Sequence, residues 1–342
     1  MNISLRYIAA TFLLALSSVI CAATEPDSTI TARKAKGNTL IIGNGPSMRA
    51  VLTFSGRSEC RDAYIGIVNE YQRLFPHLKV YCMTIPMAVE FYLPSAYSHL
   101  TTPQKPILDE MYAGLKYGAI GVDAYSALKN RVDEEIYSRT DHHWAPLGAY
   151  YAAQALAKAA GVPFAPLSQY EARTVNDFVG SMVRFSGDRS LKRYPEKFIY
   201  HIPVDAIDST LAIEFHYSKA AKKVTSESPL RKVNFFRHFP DGSAGAYCTF
   251  MGGDANNTRL YTKMKNSRKL LILKDSFGNA LPGYLCFSFE EIHVIDCRYF
   301  THNIKQYITA HGITDIVFAN NISHAHAPAT AEKYKEYLTQ NN

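Results

Sequence analysis

The sequence predicts an α/β fold, a parallel sheet covered by helices. Three observations lead there. From Arg268 onward, strand and helix patterns alternate at the spacing of crossover units, which build parallel sheets. Residues 145–161 (APLGAYYAAQALAKAAG) give the clearest helix, with Pro146 in the first turn, alanine in the body, and Gly161 then Pro163 as stop signals. Upstream, 38–45 (NTLIIGNG) and 78–86 (LKVYCMTIP) are short apolar runs ending at glycine or proline, as buried strands do.

Taken in order, residues 24–37 are polar and form a loose lead-in to the strand at 38–45. A helix follows over Tyr64–Leu74, then the strand at 78–86. Residues 85–106 carry Pro86, Pro94, Pro103 and Pro106 and read as irregular. Helical periodicity returns over 106–117 and 125–130, before the helix at 145–161. Residues 165–265 mix Pro, Gly, Asn and Ser with alternating runs such as FIYHIPV and LAIEFHY, the pattern of a loop-rich insertion with short strands. The ordered alternation then comprises strand KLLILK, turn DSFGN, a short helix, strand EIHVID, helix HNIKQYITAHG, strand TDIVFAN and a last helix over 329–339.

The N-terminus has the layout of a secretory leader: Arg6, an apolar run from Tyr7 to Ile20, and small residues at 21–23. The expectation is a leader at 1–23 and one domain over 24–342, exported to the periplasm or beyond; an uncleaved membrane anchor is the alternative. The formal net charge of +7 is scattered. No basic stripe alternates with aromatics, so nucleic acid is not an expected partner. Beyond the leader lie Cys60, Cys82, Cys248, Cys286 and Cys297, with no zinc-type spacing. An oxidising compartment permits one or two disulfides, and the odd count leaves a thiol over. Cys286 and Cys297 read as small buried hydrophobes.

Parallel sheets place chemistry at the carboxyl ends of their strands. Three such ends are legible. In LLILKDSFGN, Ser276 sits on a strand-to-helix turn, placed either as a nucleophile or as a helix cap. HVIDCRYF offers Asp296 and Arg298, an ion pair or a substrate contact. IVFANN ends in Asn320 and Asn321, a turn or amide donors. Upstream, Asp141-His142-His143-Trp144 stands just before the alanine-rich helix. Asp141 and His143, two apart, can form the carboxylate–imidazole pair that activates a serine. A metal site built from His142, His143, His324 and His326 and a purely structural cap remain alternatives.

YSRTDHHWAPLGAYYA, followed by YCTFMGGDANNTRLY, RKLLILKDSFGN and EEIHVIDCRYF, resembles the DHHW-motif family of exported bacterial proteins over residues 110–321. That family is SGNH-hydrolase-like and similar to the periplasmic alginate O-acetylation proteins. The resemblance implies a three-layer α/β/α sandwich with Ser276 as nucleophile, His143 as base and Asp141 as its partner. It implies acyl transfer, of acetyl first, to or from hydroxyls of an extracytoplasmic polysaccharide, with no cofactor or metal. A membrane O-acyltransferase would be the acyl-supplying partner. Oxyanion or substrate roles fall to Asn320 or Asn321, and to Gly252 or Gly253 of MGGD, since DCRYF lacks the family's glycine after the second strand. His142 is assigned to support, and Trp144 to the core or to a sugar-stacking face. A glycan-binding protein that keeps the motif as structure, and a metallohydrolase, are the rival readings.

Overall fold

The computed structural model describes residues 30–340, so the expected leader lies outside it. Strands β1 (Ala32–Lys34), β2 (Thr39–Ile42) and β3 (Arg49–Leu52) form a separate antiparallel sheet. The NTLIIGNG strand is β2. Its partners are its neighbours in sequence, so it stays outside the parallel sheet. Helix α1 (Ser58–Leu74) leads to β4 (Lys79–Cys82), which pairs with the two-residue β5 (Ile120–Gly121). Helix α1 begins at Ser58 rather than Tyr64 because residues 58–63 are mostly exposed, Cys60 alone being buried, too little to mark an apolar stripe. Between β4 and β5 lie α2 (Val89–Tyr92) and α3 (Gln104–Ala113); α4 (Ala124–Lys129) and α5 (Pro146–Ala160) come after. Gly161 closes α5 in the left-handed conformation, at φ 66°.

Residues 165–265 hold more strand than the composition suggests. β6 (Tyr170–Phe178) and β7 (Glu196–Pro203) pair as a two-stranded ribbon with α6 (Met182–Ser186) between them. β8 (Ile207–Ser218), β9 (Lys223–Glu227), β10 (Arg231–Lys232) and β11 (Asn256–Thr262) follow. β8 and β11 lie antiparallel at one side of the main sheet, so this stretch is continuous with the core.

The parallel heart of the sheet is completed by β12 (Lys269–Lys274), β13 (Glu291–Asp296) and β14 (Asp315–Ala319), separated by α7 (Leu281–Tyr284) and α8 (Ile304–His311), with α9 (Ile322–Ala325) and α10 (Pro328–Thr339) closing the chain. The strand order is β10-β8-β11-β13-β12-β14-β4-β5. Side chains alternate between two cores. Leu270 and Ile272 face α5 and α7, whereas Leu271 and Leu273 face α1, α8 and α10. All four are fully buried, and each contributes about 2 kcal/mol of burial. The result is three layers, helix–sheet–helix. β12 exits toward the α5/α7 face, while its neighbours β13 and β14 exit toward the other. The crevice that this reversal opens lies at the carboxyl end of β12, where Ser276 stands.

Candidate active site

Ser276 opens the turn after β12, and from Leu270 to Ala280 it alone is not buried. The turn is fixed locally. Asp275 accepts the Phe277 N–H at 2.8 Å through Oδ1, and its Oδ2 accepts the Asn321 N–H at 2.7 Å, which ties β12 to the end of β14. Gly278 is required: a Cβ there would lie 2.5 Å from Lys274 Cβ. The Ser276 backbone N–H donates to no group among the described residues, which leaves it open for an incoming oxyanion.

The loop carrying Asp141 is fixed from a distance. A bridge between Tyr137 and Trp144 closes its neck. Glu196 of β7 accepts from the backbone N–H groups of Arg139 and Thr140, at 2.8 and 2.7 Å. Thr140 in turn accepts the Gly180 N–H at 3.1 Å, and Ser181 donates its N–H to Asp141 Oδ2 at 2.8 Å. Gly180 is packed so closely that a Cβ would stand 2.4 Å from the Asp141 side chain.

These two parts meet at His143. Its Nδ1–H donates to Asp141 Oδ1 at 2.6 Å, which leaves Nε2 to accept from the Ser276 hydroxyl at 2.8 Å. The ring stacks flat on Tyr247, with centroids 3.9 Å apart and planes 6° from parallel. Tyr247 donates to the carbonyls of Ser276 and Phe277, both at 3.0 Å, and accepts the Trp144 indole N–H at 3.2 Å. Burial alone would raise the Asp141 carboxyl, but His143, His142 and the Ser181 N–H outweigh it and hold it well below the usual carboxylate range.

A family model described as DHHW protein matches residues 13–295. The chain belongs to the DHHW family. Among solved structures it is similar to a DHHW family protein from Eubacterium siraeum, with a TM-score of 0.77 and 31% identity over 91% of this chain and 99% of that one. PatB1 from Bacillus cereus, solved with a sulfonyl adduct, gives a TM-score of 0.66 at 17% identity over 88% of this chain and 99% of its own. The O-acetyltransferase domain of Pseudomonas putida AlgJ gives 0.44 at 11% identity, over 92% and 94%. A search of the curated proteins finds no match. The architecture is the SGNH-hydrolase-like sandwich that the family resemblance implies.

The DHHW loop thus brings Asp141 and His143 to Ser276, and it places its other two members elsewhere. Trp144 is fully buried in the core, so the sugar-stacking alternative falls away. His142 leans on His143, with ring centroids 3.7 Å apart, and its Nδ1 is hydrogen-bonded to Ser181 Oγ at 2.6 Å. Burial first, then the neighbouring His143, pushes its pKa down to about 3, so it stays neutral. Asp141, His142 and His143 have ligand atoms within 4.8 Å of one another, and His142 Nδ1, His143 Nδ1 and both Asp141 oxygens are engaged in hydrogen bonds. His326 is occupied elsewhere, its Nδ1 bonded to the Ile322 carbonyl, and neither it nor His324 joins that group.

The expected amide donors are used for scaffolding. Asn320 accepts from the Tyr64 and Tyr334 hydroxyls, both at 2.8 Å, and faces Asp275. The Asn321 amide donates to the Ile85 carbonyl at 3.3 Å. Both are buried, because the ends of adjacent parallel strands need polar links that water cannot supply. The Gly252 and Gly253 N–H groups turn back to the carbonyls of Cys248 and Phe250 and do not serve as donors for an oxyanion. Arg298 is paired bidentately with Asp296 at 2.8 and 2.7 Å and reaches Asp254 at 3.0 Å. Sequence reading missed Gly180, Ser181, Tyr247, Asp254 and Asn279. Tyr247 and Asp254 lie inside the YCTFMGGD block; Gly180 and Ser181 carry no signal. All five cysteines among the described residues are free, and Cys286 and Cys297 are buried. No described helix is long and apolar enough to cross a membrane.

Proposed function

We propose that the protein is a serine-dependent acyltransferase or esterase that moves an acyl group, acetyl first, to or from hydroxyls of a glycan outside the cytoplasm. One observation carries this reading: the unbroken hydrogen-bond chain Ser276–His143–Asp141, at 2.8 and 2.6 Å, at the switch point of the sheet. Ser276 Oγ attacks the acyl carbonyl carbon and gives its proton to His143 Nε2. Asp141 stabilises the imidazolium and fixes its tautomer. The bond from the acyl carbon to the leaving alcohol breaks, and that oxygen takes the proton from His143. In the second half a hydroxyl, of sugar or water, loses its proton to His143 and attacks the acyl-serine. The bond to Ser276 Oγ breaks, and Oγ regains the proton. The open Ser276 N–H serves the oxyanion in both halves.

In the transfer direction a membrane O-acyltransferase delivers the acyl group, in keeping with the leader expected at 1–23. A fluorophosphonate probe tests the nucleophile. One label on Ser276, absent from a folded Ser276→Ala variant, is the expected result. A folded wild-type protein that takes no label, or labelling that survives in Ser276→Ala, would overturn the assignment.

A further inference from the structure

The MGGD turn is built for something other than its amides. Met251, Gly252 and Gly253 have φ of 61°, 77° and 127°, three successive positive values, the first on a residue with a side chain. Such a backbone persists only where its surroundings enforce it. Here Asn256 Nδ2 ties down the carbonyls of Met251 and Gly253, and the Met251 N–H is held by the Phe235 carbonyl. The outcome is the position of the next residue. Asp254 Oδ1 accepts from Asn279, in the Ser276 turn, at 2.7 Å, and Oδ2 meets Arg298 Nη2 at 3.0 Å. Asp254 is near enough for its charge to act on both His142 and His143.

Four charges form this cluster, and they divide in two. Lys274 and Asp296 are sealed, 1% and 0% exposed, and pair at 2.7 Å as scaffold. Asp254 and Arg298 keep 29% and 33% of their side chains open. Each carboxylate oxygen retains a lone pair beyond its present partner, and Arg298 Nη1 has no partner among the described residues. Arg298 also borders a cavity of about 460 Å³. Its guanidinium carbon lies 5.2 Å from the Tyr299 ring, and Tyr299 meets the exposed Tyr217 edge-on at 5.5 Å. The guanidinium and the aromatic face line this cavity, and the part-open Asp254 carboxylate adjoins the guanidinium just outside it; the three together suit a sugar ring. The oxygen and nitrogen take adjacent hydroxyls, and the tyrosine covers the C–H face.

We propose that Asp254 and Arg298 form the acceptor subsite of the Ser276 centre, holding a sugar by two neighbouring hydroxyls while a third attacks the acyl-serine. The proposal rests on the acyl-serine reading above. In the step it serves, the attacking hydroxyl forms a bond to the acyl carbon and passes its proton to His143 Nε2. The bond to Ser276 Oγ breaks, and Oγ takes that proton. Asp254 and Arg298 touch only the hydroxyls that do not react.

The test separates the two half-reactions, with p-nitrophenyl acetate as donor and methyl β-glucoside or ethanol as acceptor. Nitrophenol release reports acylation; mass spectrometry of the acetylated product reports transfer. The wild type transfers to the glucoside in preference to ethanol. Asp254→Asn and, as a second variant, Asp254→Ser raise KM for the glucoside by about tenfold, the loss of one charge-assisted hydrogen bond, and lower transfer to the glucoside by more than they lower acylation. An unchanged glucoside KM in folded variants overturns the proposal. So does acylation falling in step with transfer, or a wild type as active on ethanol as on the glucoside. A wild type that is never acylated sinks the serine reading itself, a separate and visible result.

Discussion

The two sides of the His143 ring are built in different ways. On one side Ser276 stands on a turn that its own neighbours determine: a fully buried strand before it, Asp275 as a cap, and Gly278 pressed against Lys274. On the other side the local hold on Asp141 is slight, the His143 N–H at 3.1 Å and the Tyr137–Trp144 bridge at the neck of the loop, and the rest comes from afar. Its anchors are Ser181 and Gly180, the Thr140–Glu196 clamp and, through His143, the Tyr247 ring, some of them more than 50 residues away in the chain. A nucleophile can be delivered by strand and turn alone. A base must be aimed, and here the aiming is done by long-range contacts. Damage to the second side should therefore ruin alignment while leaving the sheet intact.

The largest effect should come from the group that fixes the tautomer. Asp141→Asn replaces an acceptor with an amide that can donate toward His143 Nδ1, and this favours the wrong tautomer. kcat on an acetyl ester should fall by about 10⁴. Retained activity in a folded Asp141→Asn protein would mean that the carboxylate is only a structural cap. Gly180→Ala comes next. The new Cβ would lie 2.4 Å from Asp141 atoms, so the carboxylate must shift, and a displacement near 1 Å costs about 10² in kcat. The thermal midpoint should move little, because the sheet is untouched. An alanine variant with wild-type kcat would show that the Asp141 anchor tolerates displacement.

The same contrast explains what could be read from the sequence. β12, β13, β14 and α5 were legible because each is a continuous apolar or alanine-rich run bounded by stop signals. Ser276 was legible because it follows one of them. The strand at 38–45 was found but its partner was not, since pairing is not encoded in a four-residue apolar run. Asn320 and Asn321 sit at the expected strand end, yet no periodicity reveals that Asp275 and two tyrosine hydroxyls claim them. β8 was read only as the short run LAIEFHY; its full 12 residues are only half buried, so polar and apolar positions mix without a clean period and neither its start nor its place in the main sheet could be read. Gly180 and Ser181 belong to the same class, as their role depends on a neighbour far along the chain.

Tyr247 sharpens the comparison because it touches both sides. Tyr247→Phe keeps the ring under His143 but loses its bonds to Trp144, Ser276 and Phe277. The stack alone should preserve most of the aim, so kcat should fall by about tenfold, less than for Gly180→Ala. Tyr247→Leu, which removes the stack as well, should fall further. If Phe and Leu behave alike, stacking contributes nothing and the hydroxyl is the whole of the effect.

The smallest effect concerns His142, and it appears in stability rather than rate. In the folded protein its pKa is held down to about 3, whereas an unfolded chain titrates at the ordinary value of 6.5. As pH falls below 6.5, the unfolded state takes up a proton that the folded state refuses, so stability drops until about pH 3 is reached. Asp141 works in a different window. Its lowered carboxyl contributes stability above 3.8 and loses it only at more acid pH. Between pH 7 and 4.5 the His142 contribution can therefore be isolated by substitution. His142→Gln keeps a polar partner for Ser181 but cannot titrate. Its denaturant unfolding free energy should lose about 1–2 kcal/mol less than the wild type over that interval. Other histidines lowered by burial, His293 and His311 among them, cancel because both proteins carry them. If the two unfolding curves stay parallel from pH 7 to 4.5, then His142 is already protonated in the folded protein, and the neutral ring against His143 is the wrong picture of this loop.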